Sequence, residues 1–342
     1  MRIGKRTIGS GNPVYIIAEI GSNHDGSLKR AKELIRAVST TGADCVKFQA
    51  FRAETLLNRL VPGKDGVWQP NPAYEVIERL TIPRNWYPEL IEYAALVGVD
   101  ILFTVFDEEG VEFLSGLGVE AFKIASGDVT NIPLLKRVAQ KGLPVILSTG
   151  ASYMEEVEKA VCTLKSEGLE DIALMHCVSL YPPKPEDMNL RCIESLKERF
   201  GLPVGFSDHA TEPTFTLSAV SLGASIIEKH ITLSRTLKGP DHPFAMEVDE
   251  FSRMVQDIRA IERALGDGLK KPSEREIPER VGARRSIYLK RDVRKGTTIT
   301  KDMLKVVRQA YGMMPEEIDT VVGRVALKDL SADMPLRKEE LR

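Results

Sequence analysis

The 342 residues carry 47 Lys and Arg against 49 Asp and Glu, a net charge of −2. That balance excludes a nucleic-acid binder relying on bulk charge, and 43% hydrophobic with 28% charged residues excludes a disordered chain. No apolar run reaches the roughly 18 residues of a membrane helix, and the start, MRIGKRTIGSGNPVYIIAEIG, has no signal-peptide h-region. Cys45, Cys162, Cys177 and Cys192 lack CxxC spacing, and Cys45 and Cys177 sit in apolar runs typical of reduced, buried thiols. A soluble, cytoplasmic protein with no membrane or nucleic-acid partner is expected.

In chain order, eight β-branched runs bounded by Gly, Pro or Asp alternate with amphipathic stretches: 14–21, 45–51, 100–106, 121–126, 144–150, 172–179, 203–209 and 225–232. SLKRAKELIRAVSTTG opens on Ser27 as an N-cap, and it and SYMEEVEKAVCTLKSEG both run into a terminating Gly. Eight strand–helix units over residues 1–265 predict a (β/α)8 TIM barrel. A doubly wound sheet is the competitor, but no GxGxxG follows the first strand. Residues 52–83 are too long for an ordinary connection and predict a substrate-covering insertion. Residues 266–283 are polar with two prolines and predict a linker. Residues 284–342 read as a small β-rich module, in which RDVRKGTTITKDML and KDLSADMPLRKEEL look loosely alike. At that size it is marginal alone and expected to dock on something.

A barrel builds its site at the C-terminal ends of its strands. Those ends hold Glu19; Lys47 and Gln49; Thr104; Lys123 and Ser126; Ser148; His176 and Ser179; Ser207 and His209; Glu228 and His230. Three pairs are spaced i, i+2, so both members face the barrel mouth. Lys47 and Lys123 lie in apolar runs, where an ammonium must be paired, deprotonated or waiting for an anion. With Thr104, Ser126, Ser148 and Ser207 they make a phosphate and carboxylate cradle; internal Lys–Glu pairs or a Schiff-base lysine are the alternatives. His209 and His230 end adjacent strands, about 4.8 Å apart. Two imidazoles with open positions would suit Mn2+, Fe2+, Co2+ or Zn2+. Asp241, in the following GPDH segment, is placed to join a substrate hydroxyl or the metal shell.

IAEIGSNHDGSL, VKFQAF, FKIASGD, ILSTG, MHCVSLYP, GFSDH, IEKHIT and GPDH together resemble the sialic acid synthase family, which includes N-acetylneuraminate, pseudaminic and legionaminic acid synthases. Residues 284–342 resemble that family's antifreeze-like SAF domain, of β-clip type. The resemblance implies condensation of phosphoenolpyruvate with N-acetylmannosamine or a related N-acylated aldose, giving a nine-carbon 2-keto sugar acid and phosphate. It implies a divalent metal, Mn2+ or Mg2+ with Co2+ or Fe2+ as alternatives, on His209 and His230. Lys47, Thr104, Lys123, Ser126, Ser148, Ser179 and Ser207 would hold phosphoenolpyruvate. Glu19, Gln49, Tyr181, Glu228 and Asp241 would face the sugar or reacting centre, with Glu19 or Glu228 moving the proton.

The same resemblance implies a domain-swapped homodimer in which Arg308 reaches over the partner's sugar. The family pattern is departed from at two places: VRQA replaces KRPG around Arg308, and Lys64 stands where the family has Asn. A lysine over the sugar end would fit a phosphorylated or otherwise modified aldose, or would simply be solvated. Ser179 stands where some members carry Asn. A Schiff-base aldolase using Lys47 or Lys123, and a non-catalytic carbohydrate-binding protein, are the remaining readings.

Overall fold

Eight parallel strands close into a barrel in the computed structural model, which describes all 342 residues. They are β1 (Tyr15–Glu19), β2 (Cys45–Ala50), β3 (Asp100–Val105), β4 (Phe122–Ile124), β5 (Val145–Ser148), β6 (Ile172–Cys177), β7 (Val204–Asp208) and β8 (Ile226–Thr232). Each pairs with the next, and β8 pairs with both β7 and β1, which removes every sheet edge. All eight fall inside the runs read from sequence, and the expected (β/α)8 barrel is the fold observed.

The two-residue period of the strands sorts their side chains. Outward residues such as Val46, Phe48, Phe103, Val105, Leu147 and Phe206 join the large core beneath the helices. Inward residues form a smaller cluster: Tyr15, Ile17, Cys45, Leu102, Ala121, Ile146, Ala173, Met175 and Ile226. Ile3 and Ile8, beside the N-terminal hairpin Arg2–Ile3/Arg6–Thr7, join that cluster from below. Above this apolar floor the same inward face turns polar. The register aligns that layer, opposing His230 to Glu19, Glu19 to Lys47, Thr104 to Lys123, and Ser207 to Glu228.

The helix α1 (Leu28–Ser39) shows how the outer shell forms. Ser27 accepts a hydrogen bond from the Arg30 N–H as N-cap, and Ala31, Leu34, Ile35 and Val38 make one buried stripe. In the long insertion, a hairpin (Leu60–Pro62 with Trp68–Pro70) precedes α2 (Pro72–Leu80), which is capped by the Asn71 side chain. Lys64 lies exposed at the hairpin tip.

The chain divides into two compact units, Met1–Gly266 and Asp267–Arg342. The stretch read as a linker is partly ordered as a helix, Ile277–Ala283, which Pro278 opens at a position where a missing N–H costs nothing. In the second unit β9 (Arg285–Leu289) pairs antiparallel with β10 (Leu304–Arg308). Its core includes Ile287, Leu289, Val293, Ile299, Leu304, Met313, Leu330, Leu336 and Leu341. The two similar stretches fold alike. Val293 and Leu330 pair with each other, and each stretch ends in a one-turn 3-10 helix, Lys301–Met303 and Lys338–Glu340.

Gly205, on the inward face of β7, is required by space rather than by φ. A Cβ there would meet the Ile226 carbonyl oxygen at 2.5 Å and also strike Met175 Sδ. Gly205→Ala is therefore expected to destabilise the barrel by about 1–3 kcal/mol through overpacking against backbone. Urea unfolding of the two proteins measures it, and equal midpoints would refute it.

Candidate active site

Glu19, Lys47, Thr104, Lys123, Ser148, Ser207 and Glu228 ring the barrel interior, each 5% exposed or less. With Gln49, Ser126, Ser179, Tyr181, His209 and His230 they line a cavity of about 230 Å3. The structure thus brings together the site residues read from sequence except Asp241, Arg308 and the strand-end His176. The two-residue period turns His176 outward, where it stacks on Phe206 at 5.8 Å and its Nε2 lies 2.8 Å from the Met188 carbonyl oxygen. Asp241 lines an adjoining cavity of about 460 Å3, which also touches Gln49, Tyr181 and His230. Arg308 ends β10 in the second unit and is exposed.

The charges in the ring are arranged in alternation. Lys47 Nζ lies 2.8 Å from Glu19 and 3.7 Å from Glu228, and donates to Thr104 Oγ1 at 2.9 Å. Burial alone would depress the Lys47 pKa, but the two carboxylates outweigh it and hold the group above its usual value. Lys123 donates to Ser148 Oγ and to the Ile124 carbonyl, with Glu228 at 3.9 Å. Here burial prevails over Glu228, and Lys47 adds to it, so the pKa falls. Lys123 is therefore the less compensated cation. For Glu228 burial acts upward, but Lys123, Lys47 and both imidazoles keep its pKa low and the group ionised.

The rings of His209 and His230 are 5.6 Å apart, with Tyr181 4.2 Å from the first and Phe244 4.9 Å from the second. His209 Nδ1 lies 2.8 Å from the Val178 carbonyl oxygen, so it carries the proton and leaves Nε2 as the unprotonated nitrogen, with Ser207 Oγ 3.4 Å away. Burial, followed by the neighbouring His230, lowers the His209 pKa to about 4, and the ring is neutral. His230 Nδ1 is buried without a hydrogen-bond partner, 3.7 Å from Asp241. A neutral imidazole and an unpartnered buried ring nitrogen fit a divalent cation chemically. No three His, Cys, Asp or Glu side chains converge on one point, so such an ion would keep positions for substrate and water.

Asp241 is fixed by the loop after β1. Its Oδ2 accepts from the Ser22 N–H at 3.0 Å, and Gly21, at φ +52°, leaves room that a Cβ would take 2.7 Å from that oxygen. The next residue, His242, joins Asp25 through Nε2 at 3.0 Å and Thr232 through Nδ1 at 2.7 Å, tying the loops of β1 and β8 together.

Sequence reasoning missed the wall of the second cavity: Phe51, Ala73, Val76, Ile77, Leu80, Pro240 and Phe244. Four of these form an i, i+3, i+4, i+7 stripe on α2, which reads as an ordinary packing face until the insertion is seen lining the site. It also left His242 and Asp25 without a role, although both lie in the quoted motifs.

Fold and site together define a parallel barrel with buried lysines, carboxylates and imidazoles at its mouth, followed by a small β-rich unit. Residues 34–270 match the NeuB family and residues 284–342 the SAF domain. The chain belongs to the NeuB family, whose named relatives are sialic, legionaminic and pseudaminic acid synthases. It is 41% identical to N,N'-diacetyllegionaminic acid synthase of Legionella pneumophila, across 99% of this chain and 97% of the relative. Human N-acetylneuraminate-9-phosphate synthase is 37% identical over 98% of this chain and 94% of its own. The crystal structure of the N-acetylneuraminic acid synthetase of Leptospira borgpetersenii, in complex with citrate, superposes with a TM-score of 0.74 at 36% identity, covering 82% of this chain and 94% of that one. No helix is long and apolar enough to cross a membrane.

The two low-pKa imidazoles generate a pH prediction. Burial also lowers His24 to about 4, so His24 and His209 bind protons near pH 6.5 only when unfolded. Their contribution is full above pH 6.5 and is lost as pH falls toward 4. Between pH 7.5 and 4.5 each is expected to cost about 2–3 kcal/mol of metal-free stability. Urea titrations at the two pH values check this; a pH-independent midpoint refutes it.

Proposed function

We propose that the protein condenses phosphoenolpyruvate with an N-acylated aldose, releasing phosphate and forming a nine-carbon 2-keto sugar acid. The observation that carries this is the single small cavity with two buried lysines and a hydroxyl ring on one side and two imidazoles on the other. Lys123, the under-compensated cation, anchors the anionic end of phosphoenolpyruvate with Ser126, Ser148, Ser179 and Ser207, while Lys47 and Thr104 complete the cradle. His209 and His230 hold a divalent cation, Mn2+ or Mg2+. When bound it supplies Lewis-acid polarisation of the aldehyde oxygen.

C3 of phosphoenolpyruvate attacks the aldehyde carbon and leaves positive charge at C2. Water adds at C2 and gives up a proton, and the tetrahedral intermediate releases phosphate by C–O cleavage. Glu228, kept ionised among four cationic or polar neighbours, suits stabilisation of the C2 cation. Glu19, which accepts from the Gln49 amide at 2.7 Å, carries the proton released by water to the oxygen of the former aldehyde, which becomes the new hydroxyl.

The acceptor's acylated end enters the second cavity. Its wall is apolar and no lysine or arginine lines it, which favours acetamido methyl groups and disfavours a phosphate. We therefore read the acceptor as a diacetamido aldose in preference to N-acetylmannosamine or its 6-phosphate. Phosphate release from phosphoenolpyruvate, measured with a panel of aldoses and Mn2+ and again after EDTA, tests the reading. Release with the diacetamido aldose, its abolition by EDTA, and a loss of about 1000-fold or more in His209→Ala are expected. Release unaffected by EDTA, with an adduct trapped by borohydride, would move the assignment to a Schiff-base aldolase. No release with any aldose would favour a carbohydrate-binding role.

In the same reading Arg308 of a second copy completes the sugar site in a homodimer. Arg308→Ala and His209→Ala are each expected to be inactive alone. Co-expressed, they should recover about one quarter of parental activity, because half of randomly paired dimers carry one intact site of two. No recovery in isolated mixed dimers would place Arg308 outside the partner's site.

A further inference from the structure

Asp208 and Lys229 lie between the site residues of two adjacent strands, Asp208 between Ser207 and His209 and Lys229 between Glu228 and His230. The strand period turns them away from the mouth, into the layer where Phe206, Ile227 and Ile231 pack beneath the helices. They are register partners across β7 and β8. Lys229 Nζ is 3.0 Å from Asp208 Oδ2, with side chains 1% and 0% exposed. A buried pair in an apolar layer is poor evidence for stability, because well-packed apolar residues often serve as well.

Its other backbone contacts converge on one residue. Asp208 Oδ1 accepts from the Ala210 N–H at 2.9 Å, and Lys229 Nζ donates to the Ala210 carbonyl oxygen. Thr216 Oγ1, in the first turn of the helix Thr214–Ser221, donates to Asp208 Oδ2 at 2.6 Å. Ala210, next in the chain after His209, is thus gripped at both its N–H and its C=O by a charge from each strand. The imidazole itself is held by the Val178 carbonyl at Nδ1, with Ser207 Oγ 3.4 Å from Nε2.

We propose that Asp208 and Lys229 are positioning residues: the pair clamps the chain leaving His209, and so sets the orientation in which His209 faces His230. Part of the test rests on His209 and His230 holding a metal, and part does not.

The experiment compares the parent with Asp208→Asn/Lys229→Met, which removes both charges together and keeps an oxygen toward Ala210. Mn2+ affinity is read from the paramagnetic resonance of the free ion. Imidazole geometry is read from long-range 1H–15N correlations of 15N-histidine protein, with His209 assigned through His209→Gln. The expected result is an affinity about 10-fold or more weaker, a displaced His209 Nδ1–H signal, and a KM for phosphoenolpyruvate within about two-fold of the parent, since Lys47 and Lys123 are untouched. An unchanged affinity with an unmoved His209 signal would overturn the proposal and leave the pair a packing feature.

If the parent itself binds no Mn2+, the metal reading fails. The His209 signal then decides the clamp alone, displaced in its favour and unmoved against it. Should the double variant not fold, Thr216→Val, which removes one donor and no charge, is read the same way. A weakening of about three-fold or a displaced signal supports the clamp, and parental values in both overturn it.

Discussion

Four ionisable groups, Lys47, Lys123, Glu19 and Glu228, are buried inside one barrel, and the rest of the site depends on keeping them in balance. Any one alone would cost several kcal/mol and would neutralise instead. Set around a ring at ion-pair distances, they can stay charged although each is 5% exposed or less. The balance is incomplete at Lys123, where burial still prevails, and at Glu228 Oε2. That oxygen and Glu19 Oε2 both lack a hydrogen-bond partner, but Glu19 Oε2 lies 2.8 Å from Lys47 whereas Glu228 Oε2 is 3.9 Å from Lys123. A ring that is satisfied except at one cation and one carboxylate oxygen is prepared for a substrate bringing an anion and, during reaction, a cation. In a low dielectric those two under-compensated groups act at greater strength than surface charges would.

The apolar floor makes this ring tenable. Leu102, Ile146, Met175 and Ile226 fill the barrel below it, so the polar layer is one tier thick and opens only upward. Gly205 belongs to the same constraint, since Met175 and the Ile226 backbone already occupy the room a side chain would need. Outside the wall the order reverses, and Asp208 with Lys229 form a charged point in an apolar shell.

The barrel and its chemical tier were legible in the sequence because both arise from a period of two. Lys47 and Gln49, or Glu228 and His230, must share a face whatever the tertiary details, and eight such strands have one natural closure. Features set by loop geometry were not legible in that way. Asp241 was placed near the metal shell or a hydroxyl, but its bond to the Ser22 N–H depends on how two loops 219 residues apart meet. The stripe Ala73, Val76, Ile77 and Leu80 carries the signature of any amphipathic helix, and only its position beside Tyr181 and His230 makes it a cavity wall. The helix Ile277–Ala283 was hidden by a polar composition that offers no buried stripe. Asp208 and Lys229 were passed over because the residues on either side of each carried the stronger signal.

This difference in legibility matches a division of labour in the proposed reaction. Most groups that act on phosphoenolpyruvate and the new bond come from strands, where register fixes them to the backbone of their neighbours, and Ser126, Ser179 and His209 follow within two residues of a strand end. In that reading, groups that choose the acceptor come from α2 and the loop of Asp241, which can change without disturbing the ring. Selection there works largely by omission. A phosphate entering the second cavity would face the carboxylate of Asp241 and an apolar wall with no lysine or arginine. The cost of that unpaired charge discriminates more strongly than an added contact to the preferred sugar would. A cation introduced on the α2 stripe would remove that cost without touching any residue of the reacting centre, so acceptor choice and catalytic chemistry are separable in this fold.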